Sequence, residues 1–286
     1  MEEQGIHIYH NPKMVEAEDK DAVLVMSFGT TFSEAREKSI DAIFADVQKA
    51  FPDKKVMLSF SSKTIIRRIK EKTGQVFLSP EEALAELRSD GYNRVLLLTL
   101  DLIPGHEYDS KQDFFDMEKE NFKALALSTP LMYWTGKGGT HDDVTELFEA
   151  FREGVPPHDD DMALLLMGHG SSHWANDYFL ILQDKIEALG AGNYFVYTVE
   201  GNPEIEDIIP KLRRKGYHKT LLMPFLMVAG DHALNDMYSD RNDSHRAILE
   251  NAGFEVSAWL HGIGEFESVR QLVVKRAELA WRRLTE

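Results

Sequence analysis

The chain contains no cysteine. That absence removes disulfide staples, thiolate metal sites and cysteine nucleophiles together, so any metal must be held by His, Asp, Glu or backbone oxygen. Positive charge is also scarce. Against 48 Asp and Glu stand 32 Lys and Arg, a formal net charge of −16. A surface of that sign repels phosphate backbones and anionic bilayers, which argues against nucleic acid or a membrane as partner. An anionic small molecule is still allowed, because a local basic pocket can work against the global sign. No run of 18 apolar residues occurs, so no segment reads as a membrane-spanning helix. There is no phosphate-cradling loop, no G-x-G-x-x-G after the first strand, and no G-x-S-x-G elbow around Ser171-Ser172. Nucleotide-binding and triad-hydrolase readings therefore lack their motifs. Residues 1–20 are polar and acidic without an apolar centre, unlike a secretory signal. They read as a disordered or loosely draped lead-in, and the cytoplasm is the expected compartment.

The 286 residues are 43% hydrophobic and 28% charged, a composition of folded globular proteins with room for one large α/β domain or two of ordinary size. Apolar runs at Ala22–Phe28, Lys55–Phe60, Arg94–Leu102 and Ala124–Leu127 predict strands, as do Ala163–Met167, Tyr194–Val199, Thr220–Val228 and Phe254–Trp259. Helical spacing lies between them. Ser33 is expected to cap a helix to Ala50, and Lys63–Lys70 predicts a basic-faced helix. Ser79-Pro80-Glu81-Glu82 predicts a capping box, and Asn202-Pro203 a cap with a first-turn proline. Strand and helix alternate throughout, which predicts parallel sheets with helices on both faces. Gly91–Leu98 and Gly216–Met223 match in pattern, and so do Met26–Thr30 and Met167–Ser171. Two matches in the same order predict a duplicated α/β domain. The expected division is a lead-in over 1–20, a domain over 21–153, a linker over 154–161 (GVPPHDDD) and a domain over 162–286. The last helix is a candidate to pack back on the first domain.

The copies differ where chemistry would sit. Phe28 stands at the position of His169, and Glu107 at that of His232. His169, Glu200 and His232 follow three predicted strands of the second half, and ligands of open α/β sheets collect at the carboxyl ends of strands. Each alone reads as a loop histidine or a surface acid. Together, two imidazoles and a carboxylate suit Co2+, Ni2+, Fe2+ or Zn2+, with positions left open for exchange. Gly168, Gly170 and Gly230 flank the histidines, either for turn geometry or for close approach of a flat ligand. Asp231 and Asp236 are candidates to orient His232, or else simply loop acids. Ser61-Ser62-Lys63-Thr64 with Arg67 and Arg68 opens a helix, a pattern that binds anions when it is more than a capped surface helix. His173, His106 and Tyr108 are rim candidates. His7, His10, His141, His158, His218, His245 and His261 show no useful clustering in sequence.

At these residues the sequence resembles the anaerobic cobalt chelatases of cobalamin biosynthesis, the CbiK type of class II tetrapyrrole chelatase. The resemblance runs from about Ala22 to the C-terminus. It is carried by VLVMSFGTTFSEAREK, SSKTIIRRI, GYNRVLLLTLDLIPGHEY, LLLMGHGSSH, TVEGNPE and LLMPFLMVAGDHALNDM. It implies duplicated halves closing on a tetrapyrrole cleft, with Co2+ as substrate, sirohydrochlorin as its acceptor and no organic cofactor. By the resemblance His169, Glu200 and His232 hold the metal; His169, His232 and Glu107 are the catalytic set, Glu107 facing across the cleft. Phe28, Gly29, Gly170, Trp174 and Gly230 would line the macrocycle, and Lys63 with Arg67 or Arg68 would meet its carboxylates. His106 stands where an acidic residue is common in the family. Two other readings use the same residues: a metal or tetrapyrrole carrier without turnover, and a chelatase for Fe2+ or Ni2+. A homo-oligomer is compatible with each.

Overall fold

The structure, a computed structural model, describes residues 5–286. The first half runs β1 (His7–His10), β2 (Asp21–Ser27), α1 (Ser33–Arg36), a π-turn at Glu37–Asp41, α2 (Ala42–Ala50), β3 (Lys55–Phe60) and α3 (Lys63–Thr73). It continues with α4 (Pro80–Ser89), β4 (Arg94–Thr99), α5 (His106–Glu118), β5 (Ala124–Leu127) and α6 (Asp143–Glu153). The second half runs β6 (Met162–Gly168), α7 (Asp177–Ala188), β7 (Tyr194–Thr198), α8 (Ile205–Lys215) and β8 (Lys219–Pro224). Then come a π-turn at His232–Met237, α9 (His245–Asn251), β9 (Glu255–Ala258) and α10 (Glu267–Thr285).

Two sheets result, ordered β1-β5-β4-β2-β3 and β7-β6-β8-β9, parallel except that β1 pairs antiparallel with β5. Counting strands within each half from β2 and from β6, both sheets have the spatial order second, first, third, fourth. The internal likeness of the sequence is thus a likeness of topology. Each sheet also has one point where the chain reverses direction across it, between β2 and β4 in one and β6 and β8 in the other. In open α/β sheets the ligand crevice forms at that point.

Central strands are apolar on both sides because helices cover both faces. Val23, Val25, Leu96 and Leu98 are fully buried toward one layer, and Ala22, Leu24, Val95 and Leu97 toward the other. Leu164 and Leu166 against Ala163 and Leu165 repeat the pattern in the second sheet. The last helix does pack back: α10 lies against α2, β4, β5 and α6. Arg270 of α10 meets Asp46 at 2.7 Å, and His10 Nε2 lies 2.9 Å from the Leu284 carbonyl oxygen. In the other direction, α6 of the first half packs on α7 of the second.

Several expectations need correction. The lead-in is not loosely draped beyond residues 1–4, which lie outside the described residues. His7–His10 forms an edge strand, and Asn11 N–H continues the pairing by donating to the Lys123 carbonyl at 2.8 Å. Four residues with one or two apolar members are too few to carry a period, and the pairing partner is over a hundred residues away. Ser33 is not a cap; Phe32 holds that position without a side-chain hydrogen bond. Helix α8 begins at Ile205, capped by Glu204 with Asp207 reaching back. Pro203 belongs instead to a turn whose carbonyl accepts Thr198 N–H at 2.8 Å, after a cis Asn202-Pro203 peptide. Helix α6 has no counterpart among the expected elements; it follows the Gly-rich loop Gly136–Gly139. The strand expected over Thr220–Val228 stops pairing at Pro224. Beyond it the apolar chain is a part-buried loop bonded to the turn at 262–264, with Ile263 and Gly264 N–H donating to the Leu226 and Met227 carbonyls. A Cβ at Gly262 would lie 2.7 Å from Met227 oxygen and Ala229 nitrogen, so only glycine lets the two segments meet. The strand expected over Arg94–Leu102 likewise ends at Thr99. The capping box of α4 is present as read, Glu82 N–H donating to Ser79 Oγ at 3.2 Å and Ser79 N–H to Glu82 at 2.8 Å.

Candidate metal centre

His169 follows directly on β6, and His232 opens the π-turn past the end of β8, so the two straddle the reversal point of the second sheet. Glu200 comes from the neighbouring side, two residues past β7. Backbone bonds fix it there: Glu200 N–H donates to the His169 carbonyl at 2.8 Å, and Val199 N–H to that of Gly168 at 3.1 Å. The approach needs Gly170, whose φ is +79° and whose Cβ would lie 2.6 Å from Gly201 nitrogen. Few residues other than glycine take that φ, and none fits that space.

The rings of His169 and His232 meet edge-on, with centroids 4.7 Å apart and planes at 87°. One ligand atom each from His169, Glu200 and His232 falls within 4.8 Å of the others. A divalent ion with bonds of about 2.1 Å asks for ligand separations of about 3–4.2 Å. Small side-chain rotations close that difference, and all three residues are part-exposed, so a metal can come and go. Each imidazole has its Nδ1 engaged. His169 Nδ1 lies 3.0 Å from the Gly170 carbonyl oxygen, and His232 Nδ1 lies 2.7 Å from Asp236 Oδ2. With acceptors there, Nδ1 carries the ring proton and the lone pair is left on Nε2. Asp236, not Asp231, makes that contact; Asp231 instead accepts from Asn235 Nδ2 at 2.8 Å.

Behind the site lies a group with no sequence signal. His245 puts Nδ1 3.1 Å from the Tyr197 hydroxyl. Burial holds its pKa below the usual histidine value, against Asp236 and Glu206, which raise it, while His232 lowers it further. His141 is also clustered, with Asp143 and Glu146, but Arg276 and Lys275 already pair with those carboxylates. Spatial proximity alone reveals the surroundings of His245, whereas His141, Asp143 and Glu146 already lie within six residues of one another in the sequence.

The other predicted site residues fall as follows. Glu107 stands in the first turn of α5, apart from the His169 cluster; it accepts from Ser61 Oγ at 3.0 Å and lies 3.9 Å from Lys111 Nζ. Phe28 and Trp174, on the loops after β2 and β6, are 50% and 65% exposed. They are the two exposed aromatic rings among the described large apolar side chains. Gly29 has φ +92° against the Phe60 ring. A Cβ on Gly230 would lie 3.2 Å from Thr30 Oγ1, which brings the loop after β8 against the loop after β2 across the two halves. Lys63 and Arg67 share one exposed side of α3, whose N-terminus Ser62 caps by accepting Ile65 N–H at 3.3 Å. Arg68 turns toward Thr31 and Lys72 in a shallow depression. Tyr108 is no rim residue; it is buried, its hydroxyl donating to the Ser128 carbonyl at 3.1 Å.

Residues 21–281 match the family model described as cobalt chelatase (CbiK). The chain belongs to the CbiK cobalt chelatase family. Within it, the chain is similar to the sirohydrochlorin cobaltochelatase of Salmonella typhimurium, 34% identical over 255 residues, which span 89% of this chain and 94% of the relative. It is 28% identical to sirohydrochlorin cobaltochelatase CbiKC of Nitratidesulfovibrio vulgaris, over 87% and 86% of the two chains. Among solved structures, SirB from Bacillus subtilis with Fe3+ has the same fold at a TM-score of 0.60 and 12% identity, covering 91% of this chain and 96% of SirB. At that identity the likeness concerns fold alone. The family match covers all four strands of the second sheet and all but the edge strand β1 of the first.

Proposed function

We propose that this enzyme is a sirohydrochlorin cobaltochelatase, which inserts Co2+ into the tetrapyrrole and releases two protons. The observation that carries the reading is the pair of imidazoles, each with Nδ1 engaged and Nε2 free, beside Glu200 at the sheet's reversal point. Inserting a divalent ion into the macrocycle replaces two pyrrole N–H protons, so charge is conserved only if a base accepts them. His169 and His232 supply both functions with one atom each. While Nε2 holds Co2+ it cannot take a proton; as the ion passes to the pyrrole nitrogens the lone pair is vacated and the displaced proton has a place to go. The proton then passes from Nε2 to solvent, which reaches both part-exposed rings. Asp236 favours the charged form of His232 during the exchange, and Glu200 completes a weak set that releases its metal.

The macrocycle is placed between Phe28 and Trp174, with Gly29, Gly170 and Gly230 giving it backbone to lie on. Lys63 and Arg67 meet its carboxylates and offset the overall −16 locally. Glu107 acts from the first half, held toward the cleft by Ser61. No nucleotide or organic cofactor enters the reaction.

The test is an anaerobic insertion assay with Co2+ and sirohydrochlorin, followed by the change in absorbance. His169→Ala and His232→Ala are each expected to lower the rate by about 100-fold or more, the usual scale for a lost acid–base group. Full activity in both variants overturns the site. A wild-type rate no faster than the protein-free background overturns the activity and leaves a carrier. Fe2+ and Ni2+ in parallel set the metal preference.

A further inference from the structure

A second cluster has metal-ligand geometry and no part in the chemistry above. His106 and Asp109 sit three apart in the first turn of α5, so they share a helix face. Across the cleft, His173 on the loop after β6 puts Nε2 3.1 Å from Asp109 Oδ2, and its ring lies 4.8 Å from that of His106 at 67°. One ligand atom from each of the three lies within 4.8 Å of the others. His106 Nε2 also lies 3.4 Å from Ser172 Oγ. We propose that His106, Asp109 and His173 form a second divalent-metal site, bridging the two halves and suited to Co2+, Ni2+ or Zn2+.

Three features favour a site over a surface accident. The ligands come from both halves, and His173 is an anchored member with its side chain 11% exposed, while His106 is open to solvent for entry. Two imidazoles and one carboxylate prefer borderline 3d cations to Mg2+. Among the described residues no Lys or Arg ion pair engages Asp109 or His106, unlike the His141, Asp143 and Glu146 group, whose carboxylates Arg276 and Lys275 have taken.

The site is weaker than the first. His173 Nδ1 accepts Ala175 N–H at 3.2 Å, so the neutral ring carries its proton on Nε2, directed at Asp109. Binding a metal at Nε2 moves that proton to Nδ1 and gives up the Ala175 bond. The first site needs no such shift. The two are connected through the chain: His169 and His173 are four residues apart, so their Cα atoms are separated by at most about 14 Å. Occupation of the second site would tie α5 to the loop that carries His169 and hold the halves together beside the first.

The experiment uses Co2+ alone, by equilibrium dialysis in excess Mg2+, on a His169→Ala/His232→Ala protein that lacks the first site. One saturable Co2+ per chain is expected, with a melting temperature raised by Co2+ but not by Mg2+. Adding His106→Ala and Asp109→Ala should weaken that binding at least tenfold and abolish the thermal shift; His173 stays intact because it caps the turn at Trp174. If the fourfold variant does not fold, His106→Gln alone in the same background gives the comparison at an exposed position. Absence of saturable Co2+ in the His169→Ala/His232→Ala protein overturns the site, as does binding unchanged by the His106 and Asp109 substitutions. The outcome is independent of the insertion reading, because no tetrapyrrole is present.

Discussion

His232 keeps its Nε2 lone pair because Asp236 occupies the other nitrogen at 2.7 Å. The contact is i to i+4 along the π-turn, so the local backbone, rather than a distant strand, sets the tautomer of the ligand. π-turns recur at functional sites for such reasons, since one extra residue re-aims a side chain without ending the helix. Asp236→Asn tests it with little change of shape. The amide can present N–H to Nδ1, which drives the ring proton to Nε2 and removes the free lone pair. Its neutral oxygen also stabilises an imidazolium less. Loss of such an orienting group typically costs 10–100-fold in metal affinity or activity. We expect Co2+ affinity at the His169–His232 site to fall by about that factor with the melting temperature nearly unchanged, measured by Co2+ titration of the His106→Ala/Asp109→Ala protein carrying the change. Unaltered affinity would mean that Asp236 serves the turn and not the imidazole.

At the scale of elements, the decisive contact is between the loop leaving β6 and the loop leaving β7. Gly170 lets Gly201 pass against it while Glu200 N–H bonds the His169 carbonyl. Gly170→Ala demands a left-handed backbone for a residue with Cβ, a strain of about 1–2 kcal/mol, and places that Cβ against Gly201. The loops must separate, carrying Glu200 from His169. The expected result is a modest drop in urea midpoint and a much larger loss of insertion rate; equal retention of both counts against the assignment. This contact also shows what the sequence could disclose. The strands β2, β4, β6 and β8 are legible because burial on both faces leaves unbroken apolar runs, and His169 and His232 stand out because polar residues end those runs. His169, Glu200 and His232 could therefore be proposed as a ligand set from their places after predicted strands, with the resemblance, through TVEGNPE, adding support for Glu200. What was illegible depends on partners distant in the chain. The strand His7–His10 exists because β5 offers an edge, and the Phe225–Val228 loop packs against the 262–264 turn because Gly262 receives it. The His106–Asp109–His173 group exists only once the halves face each other. Helix α6 is the exception, since Val144, Leu147, Phe148 and Phe151 do show helical spacing. The Gly-rich loop before it and the linker after it masked that signal.

For the molecule as a whole, the joint between the halves rests on α10, and one ion pair within that joint is singular. Asp143, at the start of α6, has a fully buried side chain whose Oδ2 accepts Trp134 N–H at 2.8 Å and Tyr133 N–H at 3.2 Å, while Arg276 of α10 pairs with Oδ1. Burial raises the pKa of this carboxyl, against the lowering pull of Arg276 and of the two backbone donors. Removing one partner of a buried pair leaves an uncompensated charge and costs about 3–5 kcal/mol. Arg276→Met should therefore destabilise the fold by roughly that amount at neutral pH, and without the guanidinium the Asp143 pKa rises further. A carboxyl whose folded-state pKa lies above its unfolded value, near 3.9, binds its proton in the folded state first. Stability is then gained as pH falls through the folded-state pKa toward the unfolded one. The melting temperature of Arg276→Met should thus approach that of the wild type as pH is lowered from 7.5 toward the unfolded-state value, and Asp143→Asn/Arg276→Met should lose this pH dependence. Because α10 begins in the second half and covers the first sheet, the same variant should also loosen the cleft. Insertion by Arg276→Met at pH 7.5 is expected to show a raised KM for the tetrapyrrole with kcat less affected, since the reacting imidazoles stay on their own sheet while the opposing Phe28 and Lys63 are displaced. A deficit confined to kcat would place the role of Arg276 elsewhere than in joining the halves.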